Sequence, residues 1–148
     1  MNSYTHEQNF AFLPGYSWAC QSLLRVFSNN YETTVVALVL INKVLFWMAV
    51  RDLQAICKAF SLSNQATHNA IMFFIYNPAL VFFHSVYSES LYVFLTFKAV
   101  NFLLNHKNGF MFTCLLMLAT LVRSTGIFLL PAIGVPLLVA MFRNLGYK

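Results

Sequence analysis

The chain has 148 residues, of which 59% are hydrophobic, 17% aromatic and only 9% charged. So few charged side chains cannot form the surface that keeps a globular domain soluble, which excludes that class and favours a lipid bilayer as the solvent. The formal charge of +5 comes from Lys and Arg scattered singly between apolar stretches, so we expect no nucleic acid partner, and the three widely spaced cysteines favour neither a disulfide framework nor a metal site.

The first 33 residues are expected to form a luminal or interfacial segment. Residues 10–27, FAFLPGYSWACQSLLRVF, are rich in aromatic side chains and contain the pair Pro14-Gly15. Aromatic residues gather at membrane interfaces, so this stretch predicts a loop followed by a short interfacial helix. The N-terminal ten residues have neither the basic nor the apolar region of a signal peptide.

Residues 34–142 predict four or five membrane segments, since about 20 apolar residues cross the hydrocarbon of a bilayer. Residues 34–53 form the first such stretch, interrupted by Asn42 and Lys43. A cation that faces lipid at the centre of a span costs about 2.5 to 3.5 kcal/mol. Lys43 is therefore expected to face the bundle interior, a groove or a partner.

The next apolar stretch, residues 69–104, would make a helix of about 54 Å, which is too long for one crossing. The polar run at residues 84–90 lies near its middle. We therefore predict two helices, residues 66–86 and 89–104, that meet at one membrane face. Within the first of them, Pro78 is expected to kink the helix.

Residues 110–142 are divided in the same way by the polar run at 123–126. Pro131 and Pro136 remove backbone donors from the second half, which membrane helices tolerate when neighbours satisfy the freed carbonyls. Together these elements predict an all-α fold, a polytopic membrane helix bundle, with residues 1–148 as a single incomplete membrane domain.

The positions of Lys and Arg set the orientation. If the stretch before residue 34 is luminal, six of them lie on or near the cytosolic side and two on the luminal side, a bias of the sign that cytosolic loops show. The cytosolic group is Arg51, Lys58, Lys98, Lys107, Arg143 and Lys148, and the luminal group is Arg25 and Arg123.

Three polar clusters approach the luminal face in this topology, at residues 7–16, 77–90 and 123–126. Polar clusters that converge on one face of a bundle indicate a site. Glu89 has two interpretations: an acid in the first turn of a helix, favoured by about 0.3 to 1 kcal/mol, or a functional carboxylate. Arg123 either snorkels to lipid headgroups or grips a phosphate with its guanidinium.

Histidines give no sign of a metal site. His68, His84 and His106 lack the mutual spacing and the carboxylate neighbours that metal ligands need, so we expect no metal and no cofactor.

Three stretches of the sequence resemble the GPI mannosyltransferase 2 (PIG-V) family, in the family's order and at about its spacing. They are EQNFAFLPGY at 7–16, YNPALVFFHSVYSESLYVFLTF at 76–97 and LATLVRSTGIF at 118–128. The resemblance covers nearly the whole chain, while the chain corresponds to an early-to-middle portion of a family member. Ser17 and Thr125 depart mildly from the family's pattern and leave the resemblance intact.

The resemblance implies a GT-C type glycosyltransferase, a multi-pass protein of the endoplasmic reticulum membrane with a luminal active site. The implied donor is dolichyl-phosphate mannose, and the implied acceptor is the GPI precursor glycolipid, which receives the second mannose in α-1,6 linkage with inversion. A carboxylate would deprotonate or orient the acceptor hydroxyl while cations stabilise the leaving phosphate. The candidate catalytic residues are then Glu89 and Glu7, the candidate substrate-binding residues are Asn9, Tyr87 and Arg123, and an accessory membrane subunit is a candidate partner.

The resemblance also predicts that the chain is incomplete. Family members carry a first membrane helix and a luminal Trp-Asp motif before the stretch that matches residues 7–16, and this chain begins after that motif. The single aspartate, Asp52, lies at a predicted cytosolic helix end and cannot replace it. We therefore expect the chain alone to lack transferase activity.

Two other hypotheses stay open at this stage. One is a non-catalytic short membrane protein or splice form that binds partners of the full enzyme. The other, suggested by Lys43 and the proline-broken helices, is a small transporter or channel, although no repeat is visible in the sequence.

Overall fold

The computed structural model describes residues 14–28, 30–129 and 131, and this part of the chain contains helices and no strand. The predicted all-α class is therefore confirmed for the described residues. The predictions for Glu7, Asn9 and residues 132–142 lie outside them. The helices are α1 (Pro14–Val26), α2 (Tyr31–Ala59), α3 (Asn64–Ile75), α4 (Leu80–His84), α5 (Glu89–His106) and α6 (Gly109–Val122), followed by a 3₁₀ helix (Ser124–Phe128).

Helix α2 contains the predicted span 34–53 and extends beyond both of its ends. The side chain of Asn30 caps it by accepting a hydrogen bond from the Thr33 N–H at 3.2 Å. Its 29 residues make a helix of about 43 Å, longer than the roughly 30 Å of bilayer hydrocarbon. Among the described residues, α2 is the one helix long and apolar enough to cross a membrane.

The helix predicted over residues 66–86 is wrong in its continuity, because the structure has two helices there, α3 and α4. The Asn77 side chain accepts a hydrogen bond from the Ala79 N–H at 2.8 Å, which folds the backbone into a turn. Pro78 has no N–H to continue the helix. Asn77-Pro78 therefore ends α3 instead of bending a longer helix.

Helices α5 and α6 begin and end close to the predicted positions. The polar run before Glu89 forms the turn between α4 and α5, and Lys107 adopts a left-handed conformation after α5. The Asn108 side chain then caps α6 by accepting from the Met111 N–H at 3.1 Å. At the other end of α6, Arg123 is extended and the 3₁₀ helix follows, so the predicted break at residues 123–126 is present.

Helix α5 packs between α2 and α6. Ala49 on α2 and Ala99 on α5 are both fully buried, and such small residues let helix backbones approach closely. Between α5 and α6 the core consists of Leu95, Ala119 and Val122, with Leu91, Tyr92, Phe94 and Leu115 packed against them. Helix α2 also contacts α3 and α4 through aromatic rings, since Phe46 packs on Phe74 and Phe83. Phe74 in turn packs on Phe97 of α5.

Two glycines allow α1 and the 3₁₀ helix to pack closely against the C-terminal end of α6. A Cβ at Gly15 would lie 2.6 Å from the Leu121 carbonyl oxygen, so α1 approaches α6 where a side chain would not fit. A Cβ at Gly126 would lie 2.8 Å from the Thr120 Cα, which means that the 3₁₀ helix folds back on α6. Both close contacts are possible only because glycine has no side chain.

Gly126→Ala is expected to lower the free energy of unfolding by about 1 to 3 kcal/mol, because the added methyl group meets helix backbone that cannot move aside cheaply. The matched control is Gly109→Ala, whose Cβ would meet nothing within 4 Å. Thermal unfolding of the full chain in detergent would measure both. Equal melting temperatures for the two variants would contradict the close packing at Gly126.

Candidate functional site

The candidate site lies where the α4–α5 turn, the C-terminal end of α6 and helix α1 come together. Asn42 of α2 anchors this region: it is 2% exposed, and its Nδ2 donates to the carbonyl oxygens of Ser85 at 2.6 Å and Tyr87 at 3.3 Å. The fully buried Ser90 donates from Oγ to the Phe83 carbonyl oxygen at 2.7 Å. The turn that precedes Glu89 is thus held by Asn42 of α2 and by Ser90 of α5.

An ion pair joins the start of α5 to the end of α6. Arg123 Nη1 donates to Glu89 Oε1 at 2.5 Å, and the two side chains are 40% and 19% exposed. The Arg123 guanidinium also lies 6.0 Å from the centre of the Tyr92 ring. Glu89 is the first residue of α5, so its negative charge interacts favourably with the helix dipole and also binds Arg123. Arg123 is therefore paired within the protein, and its two predicted roles, at lipid headgroups or on a phosphate, stay predictions.

Three buried polar atoms in this region have no hydrogen-bond partner among the described residues: Glu89 Oε2, Tyr16 Oη and His84 Nδ1. Burial raises the pKa of Tyr16 to about 12, and Asn42 and Glu89 are near enough to affect it. The tyrosine hydroxyl therefore keeps its proton at neutral pH and can donate a hydrogen bond. His84 packs its ring against Phe46, with the ring centres 5.3 Å apart.

This arrangement combines a paired guanidinium, a hydroxyl donor and a carboxylate oxygen that has no partner among the described residues. Arg123 keeps further N–H donors beyond the one given to Glu89, and a guanidinium suits a phosphate. Glu89 Oε2 can accept a hydrogen bond from a hydroxyl, and Tyr16 can donate one. The described residues therefore bring a cation, a carboxylate and a hydroxyl together in one region. The described residues contain no group of three or more His, Cys, Asp or Glu side chains that could hold a metal ion.

The residues proposed from sequence have different outcomes. Glu89 and Arg123 are in direct contact. Tyr87 is 45% exposed, its ring centre lies 5.4 Å from that of Phe82, and its backbone carbonyl accepts from Asn42. Glu7 and Asn9 lie outside the described residues. Their roles, like the others, stay predictions.

Sequence reasoning missed Asn42 and Tyr16. Lys43 was expected to face the bundle interior, a groove or a partner; it is exposed, so it does not lie in the interior that the described residues form, and the groove and the partner stay predictions. The neighbouring Asn42 is the one that is buried. The sequence did indicate this burial, because the Asn42 amide lies in an apolar span and such a group needs a hydrogen-bond partner within the protein. Tyr16 stood at the end of the EQNFAFLPGY stretch, where only the polar residues at its start were singled out.

The sequence profile of the family described as Mannosyltransferase (PIG-V) matches residues 1–148. GPI alpha-1,6-mannosyltransferase 2 of Mus musculus is 36% identical over 135 residues, and its human counterpart is 31% identical over 135 residues; each alignment covers 85% of this chain and 27% of the relative. GPI mannosyltransferase 2 of Drosophila pseudoobscura pseudoobscura is 31% identical over 104 residues, 66% of this chain and 23% of the relative. The chain thus spans about a quarter of the length of these relatives, and no solved structure matches it.

Asn42→Ala is expected to lower the free energy of unfolding by about 1 to 3 kcal/mol, because two carbonyl oxygens of the α4–α5 turn lose their buried donor. The matched control is Asn69→Ala on α3, an exposed asparagine whose side chain bonds only to the exposed Gln65. We expect a change within about 0.5 kcal/mol for the control. Melting temperatures of the full chain in detergent test this, and an equal loss in both variants would contradict the anchoring role of Asn42.

Proposed function

The chain belongs to the mannosyltransferase (PIG-V) family, and on that premise we propose that the protein transfers mannose in α-1,6 linkage to the GPI precursor as its second mannose. The donor in this proposal is dolichyl-phosphate mannose, and the reaction takes place on the luminal side of the endoplasmic reticulum membrane. The fold is then a multi-pass GT-C bundle. The single observation that carries the proposal from family to site is the Glu89–Arg123 pair, in which Glu89 Oε2 has no hydrogen-bond partner among the described residues.

In the proposed reaction, a hydroxyl oxygen of the acceptor attacks the anomeric carbon of the donor mannose. The bond between that carbon and the phosphate oxygen breaks, and the leaving dolichyl phosphate takes the electron pair. The hydroxyl proton passes to a base. The chemistry needs an oxygen that accepts the proton or orients the hydroxyl, and a cation that stabilises the phosphate.

The described residues suit these roles as follows. Glu89 Oε2 is the oxygen that accepts the hydrogen bond of the acceptor hydroxyl, because Oε1 is already bound to Arg123. Arg123 stabilises the charge on the leaving phosphate with its remaining donors. Tyr16, protonated at neutral pH, donates a hydrogen bond to a substrate oxygen. Glu7, Asn9 and Tyr87 remain proposed contributors to the same site.

The competing explanation is a purely structural ion pair that holds α5 against α6. The partial burial of both side chains suits it equally well, since removing one partner leaves the other charge without compensation. The two explanations predict different effects of a mutation that leaves the fold intact. A structural pair affects the amount of folded protein, whereas a catalytic pair affects the rate per folded molecule.

Glu89→Gln and Arg123→Ala, made in the full-length protein, are expected to lower the rate per folded molecule by at least about tenfold, because transition-state interactions of this kind are worth several kcal/mol. The matched controls are Glu32→Gln and Arg25→Ala, both at exposed positions. The assay converts the one-mannose GPI intermediate to the two-mannose form in microsomes that lack the native enzyme, with enzyme abundance measured in parallel.

Arg123→Lys separates the two explanations further. Lysine keeps the positive charge beside Glu89 but lacks the planar fork that binds phosphate in two places. We expect the melting temperature to stay close to that of the unchanged protein while the KM for the lipid-linked donor rises. If the rate per folded molecule stays unchanged in Glu89→Gln and Arg123→Ala, the proposed roles of both residues are wrong.

A further inference from the structure

A second polar site joins α2 to α5 at a different level of the bundle. Asp52 of α2 is 5% exposed, and its Oδ1 accepts hydrogen bonds from Asn101 Nδ2 at 2.6 Å and Lys98 Nζ at 3.4 Å. Ten residues separate Asp52 from Asn42 along α2, a rise of about 15 Å. This site shares no residue with the Glu89–Arg123 region.

A cavity of about 280 Å³ opens beside this ion pair. Its lining residues are Met48, Arg51, Asp52, Ala55, Lys98 and Asn101. Typical pockets for small molecules begin at about 300 Å³, so there is room for a headgroup and not for a whole lipid. Two cations against one carboxylate leave the lining with a surplus positive charge.

The donors that face this cavity are only partly used. The Lys98 ammonium has three N–H donors and gives one to Asp52, and its side chain is 32% exposed. The exposed Arg51 forms no ion pair among the described residues; its guanidinium lies over the ring of Trp47, 5.1 Å from the ring centre. Asp52 Oδ1 accepts both from Lys98 and from Asn101, so the carboxylate holds the Lys98 ammonium at the cavity, and the ammonium offsets its negative charge.

The cavity also lies where the apolar part of α2 ends. Residues 44–50 are uncharged, and Arg51 and Asp52 are the first charged residues after them. Trp47 is 59% exposed beside Arg51, and a tryptophan paired with a cation is typical of the headgroup level of a bilayer. The apolar Met48 and Ala55 complete the lining and suit the glycerol end of a lipid.

We propose that this cavity binds the phosphate of an anionic phospholipid headgroup, with Arg51 and Lys98 as its ligands. A soluble phosphate shares this chemistry, but the exposed tryptophan and the position at the end of the apolar stretch favour a lipid. The bound lipid would hold α2 and α5 at a fixed depth in one leaflet. The inference does not rest on the proposed mannosyl transfer, because its residues and its readout are separate.

The test is native mass spectrometry of the full chain, delipidated in detergent and titrated with short-chain phosphatidic acid or with phosphatidylcholine of the same acyl length. We expect phosphatidic acid to bind at least about tenfold more tightly. Arg51→Gln and Lys98→Gln should each weaken its binding by about tenfold, which corresponds to the loss of one charge-assisted hydrogen bond. Inorganic phosphate, at matched ionic strength, should compete with the lipid.

The matched control is Lys58→Gln, an exposed cation in the last turn of α2 that does not line the cavity, and it should bind phosphatidic acid as the unchanged protein does. Arg51→Gln decides the outcome if Lys98→Gln unfolds, because Arg51 is exposed and holds no buried partner. Equal affinity for the two lipids, an equal loss in Lys58→Gln and Arg51→Gln, or tighter binding of inorganic phosphate than of phosphatidic acid would each overturn the proposal.

Discussion

A polar side chain buried against an apolar helix must find its hydrogen-bond partner inside the protein, because hydrocarbon offers none. Of the three buried polar side chains on helix α2, Thr34 bonds to the Asn30 carbonyl oxygen just before the helix, while Asn42 and Asp52, about 15 Å apart along the axis, bond to other elements. Asn42 holds the turn before α5, and Asp52 holds Lys98 and Asn101 within α5. These two tethers set the register of α2 against α5, which apolar contacts alone specify weakly because they have no direction.

The rest of the candidate site depends on that register. Once Asn42 fixes the α4–α5 turn, Glu89 begins α5 at the level where α6 ends, and Arg123 can reach it. Close packing at Gly15 and Gly126 brings α1 and the 3₁₀ helix to the same place. The ion pair therefore joins α5 to α6, and a rate per folded molecule is what separates this structural role from the proposed chemical one.

Several residues in the stretches that resemble the family have structural roles in this fold. In the stretch YNPALVFFHSVYSESLYVFLTF, Asn77 and Pro78 end a helix, and Ser90 bonds to the Phe83 backbone. Tyr87 contributes a carbonyl oxygen to the anchor on Asn42. The role of each residue in this stretch therefore has to be read from its contacts.

The sequence by itself determined the class of fold, the helix starts at Glu89 and near residue 110, the break at residues 123–126 and the family, since these follow from local apolar patterns, capping residues and motif words. Only the tertiary structure decided that Glu89 meets Arg123, 34 residues away, that Asn42 and not Lys43 is buried, and that Asp52 closes a separate cavity with Lys98. The physical reason is that these outcomes depend on how one helix is rotated and shifted against another. Hydrophobic periodicity is too uniform in a chain this apolar to specify such a rotation, and the few polar side chains specify it only once they have met their partners.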